Sequence, residues 1–134
     1  MDGRIALTPG TMLKLSTKTG YTEYTVSREL ARGGSCIVYD ASYTDNLGNY
    51  KLVRIKECYP YALKMTRDED GALHPSTRDD EAFDAAKKRL ISAYQKNHAL
   101  FSLKGLTNAI ANSSDIHEEN GTVYIVSVYM NGRT

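Results

Sequence analysis

The sequence is poor in cysteine, nearly neutral and free of long apolar runs, and each shortage excludes a class of function. Its two cysteines, Cys36 and Cys58, are too few for a disulfide framework and show no C-x-x-C metal spacing, which points to a reducing, cytoplasmic setting. Seventeen Lys and Arg offset sixteen Asp and Glu to a net charge of +1, so no bulk field draws the chain to nucleic acid or an anionic membrane. No window approaches the roughly 20 apolar residues needed to cross a bilayer, and the N-terminal stretch lacks the apolar block of a secretory signal. What the 134 residues do hold is a 41% apolar content, enough for the modest core of one domain.

Turn residues divide the chain into short β-rich segments around one long polar-apolar stretch, which predicts an α+β fold. Tyr24 to Ala31 and Ile37 to Tyr43 carry β-branched and aromatic residues on either side of Gly33-Gly34-Ser35. Tyr50 to Glu57 follows a turn at Asp45-Asn46-Leu47-Gly48-Asn49, completing a three-stranded meander. Residues 1–23 read as an extension, with Met12 to Leu15 as a short edge strand. Cys58 to Pro75 holds two prolines and the turn Asp68-Glu69-Asp70-Gly71 without sustained periodicity, so it is expected to be an irregular connection.

A helix is expected from Thr77, where Thr77-x-x-Asp80 resembles a capping box, to a stop at Gly105. Acidic residues Asp79, Asp80, Glu81 and Asp84 precede Lys87, Lys88 and Arg89, which suits the helix dipole and allows an Asp84 to Lys88 pair. Phe83, Leu90, Tyr94, Asn97 and Phe101 fall on one stripe. Two strands, Ala109 to Ile116 and Thr122 to Met130, then flank a turn whose Asn120-Gly121 is a strong hairpin signal.

Three strands, a helix and two strands, with a glycine turn before a strand lysine, resemble the amino-terminal lobe of a protein kinase. The motifs Gly33-Gly34-Ser35-Cys36-Ile37-Val38-Tyr39 and Ile55-Lys56-Glu57-Cys58-Tyr59-Pro60 are similar to those of bacterial serine/threonine kinases. The resemblance implies a five-stranded antiparallel sheet with one long helix over residues 24–134, truncated before a second lobe. It implies ATP with magnesium, the metal ligands and base lying in the missing lobe, and a protein substrate or partner. Lys56 would hold the α- and β-phosphates, with Leu30, Gly33, Gly34, Ser35, Val38 and Arg54 around the nucleotide and Val128 to Met130 as the hinge. The strand period agrees for the lysine, since Val53 and Ile55 take one face and Arg54 and Lys56 the other, while Glu57 points away from Lys56.

The chain also departs from the family pattern. The three glycine positions read Ala31, Gly33 and Cys36; Arg54 stands where a small alanine meets adenine; and the helix glutamate that pairs the lysine is replaced by Asn97 or His98. Two functions are therefore expected in competition, the nucleotide-binding lobe of a serine/threonine kinase and a pseudokinase-type interaction module with weak or no ATP binding. A third, an unrelated α+β binding domain, would show a different strand order or a helix that does not face Lys56. An exposed apolar face meant for a second lobe would also promote self-association.

Overall fold

A computed structural model of the chain describes residues 3–17, 19–104 and 114–128. Strands β1 (Met12–Thr17), β2 (Gly20–Arg32), β3 (Cys36–Thr44), β4 (Tyr50–Cys58), β7 (Ser114–Glu119) and β8 (Thr122–Val128) form an antiparallel sheet in the order β1-β2-β3-β4-β8-β7. The short strands β5 (Met65–Arg67) and β6 (Leu73–Pro75) make a separate hairpin, and helix α1 (Asp80–Lys104) lies between it and β7. The fold is thus α+β, with six strands in the main sheet, the five that the resemblance implied and the edge strand expected at Met12 to Leu15, which runs on to Thr17. The sixth is β1, whose alternation buries Leu13 and Leu15 and pairs its whole length with β2.

The sheet curls until its two ends meet. The Ser16 amide donates to the Glu119 carboxylate at 2.9 Å, and His117 Nδ1 lies 3.1 Å from the Ser16 carbonyl. A carbonyl only accepts, so that contact places the imidazole proton on Nδ1. The near-barrel encloses Leu15, Val26, Ile37, Tyr39, Val53, Ile55, Tyr124 and Val126. Leu7 from the N-terminal segment and Leu73 from β6 seal it. Outside the barrel, α1 covers β4 and β8 through Phe83, Ala86, Leu90, Ile91 and Tyr94 against Cys58, Val123 and Ile125.

Several expected boundaries shift for physical reasons. The stretch from Cys58 to Pro75 is not wholly irregular, because the Asp68 to Gly71 turn closes the β5–β6 hairpin, with Gly71 donating to the Asp68 carbonyl. The capping box is absent. Ser76 precedes a 3-10 turn at Thr77–Asp79 without a side-chain cap, and Asp79 instead accepts the Lys64 amide at 2.7 Å. The Asp84 to Lys88 pair is present at 3.1 Å. The β7–β8 turn is tighter than expected, as β7 runs to Glu119 and only Asn120 and Gly121 turn, both with positive φ. Gly105, residues 109–113 of the expected strand, and 129–130 lie outside the described residues.

The barrel interior predicts an alkaline instability. Burial, and then Tyr43 and Asp115 nearby, push the Tyr24 phenol up to about 12, and burial followed by Glu57 raises Tyr39 and Tyr124 as well. The folded chain keeps these phenols protonated while the unfolded chain loses them near pH 10, so stability is complete below about pH 10 and falls as pH rises toward 12. Replacing Tyr24 with Phe should make the decline in unfolding free energy between pH 10 and 12 shallower; an unchanged slope in urea titrations would remove Tyr24 as a cause.

Candidate functional site

Lys56 emerges from the outer face of β4. Register places Ala31, Val38, Lys56, Ile125 and Ile116 in one cross-strand row, so the lysine has apolar neighbours on either side. Helix α1 packs on the same face, and the half-buried Lys56 ammonium stands 5.3 Å from the Tyr94 ring centroid. An ammonium over an aromatic face is attracted by the ring quadrupole, and partial desolvation strengthens the contact. Asn97 and His98 belong to the same helix, but their side chains lie outside the described residues. Among the described residues the helix side chain that meets the lysine is Tyr94, which the stripe periodicity marked only as a packing residue.

No helix carboxylate can take Tyr94's place. Residues 85–104 contain no Asp or Glu, and Asp84, ten residues before Tyr94, is offset by roughly 15 Å along the axis. Glu57, next to Lys56 in sequence, points into the barrel as strand alternation required.

Arg54 is exposed on the same face as Lys56, one cross-strand row away, with Asp40 opposite it on β3 and Ser127 on β8. Asp40 also takes an ion pair from Arg28 at 3.3 Å. Val38 is half-buried beside Lys56, and Leu30 is the residue skipped between the paired Glu29 and Ala31 at a β2 bulge. Val53 on β4 pairs with Val128 at the end of β8, whose side chain, like the whole of Met130, lies outside the described residues.

The glycine turn is held flat against the end of the sheet. The Ser35 and Gly34 carbonyls accept the Tyr59 and Tyr61 amides at 2.9 Å each, extending the β3–β4 ladder beyond its strands. From the other side, Arg4 donates to the Gly33 and Tyr59 carbonyls at 2.8 Å and stacks over Tyr61. Neither Gly33 nor Gly34 adopts a positive φ, and a Cβ at either would meet nothing within 4 Å. The turn therefore does not depend on glycine for its conformation.

Sequence reasoning missed the polar centre of the barrel. Glu57, fully buried, accepts a bidentate pair from Arg67 on β5 at 2.7 and 3.0 Å, plus hydroxyl bonds from Tyr39 at 2.8 Å and Tyr124 at 3.2 Å. Arg67 also donates to the Ile5 and Gly71 carbonyls at 2.7 and 2.8 Å, and Tyr39 accepts the Leu7 amide. Every element touching this carboxylate is thereby tied to it, and each of its two oxygens accepts one guanidinium and one phenol hydrogen bond. It is a structural anion.

Among the described residues, two clefts lie elsewhere. One, of about 440 Å³, is lined by Arg4, Tyr61, Lys64 and His74; the other, of about 560 Å³, by Tyr21, Tyr43 and Tyr50 among hydroxyl side chains. Lys56 lines neither. Among the described residues no group of three or more His, Cys, Asp or Glu is placed to hold a metal ion, and no helix is long and apolar enough to cross a membrane. Comparison with known proteins returns no matching family model, no matching curated protein and no matching solved structure.

Proposed function

We propose that the chain is a protein-kinase-like lobe that works as a binding module rather than as a phosphoryl-transfer unit, the pseudokinase reading. The observation that carries it is the lysine's partner. In a transferring kinase a helix glutamate holds the strand lysine by a charge-assisted bond, whereas here Tyr94 covers Lys56 and the helix offers no carboxylate within reach. The kinase-like part of the reading is supported by the order of elements and by α1 lying on the Lys56 face. The six-stranded, nearly closed sheet sets it apart from the five strands that the resemblance implied. Exposed Met12 and Leu52 end one cross-strand row whose middle members are Thr25 and Ser42, and with exposed Tyr21 on β2 and Tyr50 on β4 they supply a mixed apolar and hydroxyl surface for a protein partner or a second copy.

The second reading, the nucleotide-binding lobe of an active serine/threonine kinase, is favoured by one feature: Lys56 and Arg54 project from the same face near the glycine turn, where both can meet phosphate. Magnesium would have to arrive with ATP or be held by another lobe, since Asp40 on that face is already paired with Arg28. The two readings separate in a titration of the chain with Mg·ATP followed by backbone amide NMR shifts. Binding should saturate only at or above about 1 mM, a free energy near −4 kcal/mol. Replacing Tyr94 with Leu should tighten it by about two- to fivefold, because the lost cation–π contact of roughly 0.5–1 kcal/mol releases the ammonium. A micromolar affinity in the unaltered chain that disappears in Lys56→Ala would transfer the case to the catalytic reading.

A further inference from the structure

Cys36 and Cys58, the chain's only cysteines, are partners in the β3–β4 register. Both are free and buried. Register partners on antiparallel strands project to the same face with Cα atoms about 4.5 to 5.5 Å apart. That spacing falls inside the roughly 4.4–6.8 Å range that a disulfide spans. The pair sits two residues along each strand from Val38 and Lys56, so it occupies the next row of the lysine face, where the sheet passes into the glycine turn. Cys36 is the first residue of β3 and follows the exposed Gly33-Gly34-Ser35 turn, so it is a buried strand residue and not the accessible turn cysteine that its neighbours suggest.

We propose that Cys36 and Cys58 form a two-thiol oxidation site, closed by hydrogen peroxide into an intramolecular disulfide that rivets the glycine turn to the lysine strand. The Cys36 sulfur, giving its proton to solvent, attacks one peroxide oxygen; the O–O bond breaks, leaving a sulfenic acid and, after protonation, one water. The Cys58 sulfur then attacks the sulfenic sulfur, the S–S bond forms, the S–O bond breaks and the oxygen departs as a second water with the Cys58 proton. Two thiols and one peroxide give one disulfide and two waters, the thiols losing two electrons and the peroxide gaining them.

Cys36 is the entry point for two reasons. It borders the exposed turn, whereas Cys58 has no exposed surface beneath α1. Burial pushes both thiols up, Cys36 to about 11 with partial relief from Lys56, and Cys58 to about 12 with a further rise from Cys36 beside it. Thiols held protonated react slowly, so the site answers sustained peroxide rather than a brief pulse, and a reducing compartment reopens it. The inference rests on strand register and holds whether or not the domain binds nucleotide.

The test is to treat the native chain with millimolar peroxide, block remaining thiols with iodoacetamide and compare intact and tryptic masses without reduction. The expected result is loss of two hydrogens, no alkylation, and a linked pair of peptides spanning residues 33–51 and 57–64, all reversed by dithiothreitol. Cys36→Ser and Cys58→Ser should each abolish the link, and the oxidised chain should melt several degrees higher, as closing the hairpin constrains the unfolded state. Both thiols surviving unreacted, a single cysteine carried to sulfinic acid without a link, or a disulfide joining two chains would each overturn the proposal. The mass readout on the unaltered chain decides the matter even where a serine variant folds poorly.

Discussion

Glu57→Gln should destabilise the protein by about 3–5 kcal/mol, the cost of stranding a buried charge after its partner is neutralised. The exchange preserves shape and removes only the negative charge and one acceptor. Arg67, whose side chain is 6% exposed, would then face an amide whose NH2 group cannot accept from the guanidinium or from a tyrosine hydroxyl. Because the carboxylate joins β3, β4, β8 and the β5–β6 hairpin, and Arg67 ties in Ile5, the loss should be felt as loosening of the N-terminal segment and the hairpin together. A typical domain holds only about 5–15 kcal/mol in total, so the variant should be near the edge of folding at 37 °C. Urea denaturation gives the magnitude, and a double-mutant cycle with Arg67→Met gives the cause. The double variant should cost less than the two single changes added, by about 0.5–3 kcal/mol. A single-site loss below about 1 kcal/mol would mean that water enters the barrel and the pair is not dry.

Period-two alternation made much of this domain readable in advance. It placed Val53 and Ile55 inward, Arg54 and Lys56 outward and Glu57 away from the lysine, as the burial of β4 shows. The Asn120-Gly121 turn and the Asp84 to Lys88 pair were equally legible, because each is decided within a few residues. The β5–β6 hairpin was not, since strands of three residues carry no measurable period. With that hairpin unread, Arg67 had no assigned place and the partner of Glu57 stayed hidden. Closure of the sheet was invisible for a different reason: Ser16 and Glu119 lie far apart in the chain, and nothing local announces their meeting. The cysteine pair was legible but uncounted. Once the turn at Asp45 to Asn49 pairs Thr44 with Tyr50, stepping outward along both strands brings Cys36 opposite Cys58. At the candidate site, helical spacing grouped Tyr94 with Asn97, and only the packing of α1 against β4 shows that Tyr94 is the residue over Lys56.

Gly121→Ala should cost about 2–5 kcal/mol, far more than any substitution in the glycine-rich turn that draws the eye. Two independent penalties meet at this position. Its φ of +75° lies in the left-handed region, which costs an L-residue roughly 1–2 kcal/mol. A Cβ there would also sit 2.3 Å from the Leu73 carbonyl oxygen, and because the obstacle is backbone, no rotamer change relieves it. Shifting the backbone instead would stretch the 2.9 Å bond from the Leu73 amide to the Asn120 carbonyl, by which β6 is laid across the β7–β8 turn. Overpacking of that kind adds about 1–3 kcal/mol. Gly48 separates the two penalties, having φ +84° but open space around it, so Gly48→Ala should cost only the conformational share of about 1–2 kcal/mol. Gly33→Ala has neither penalty and should stay within about 0.5 kcal/mol of the parent. Urea midpoints for the three variants therefore order the glycines by mechanism. Should Gly121→Ala unfold no more easily than Gly48→Ala, β6 does not rest on the turn, and the Leu73 seal of the barrel must be held by its side chain alone.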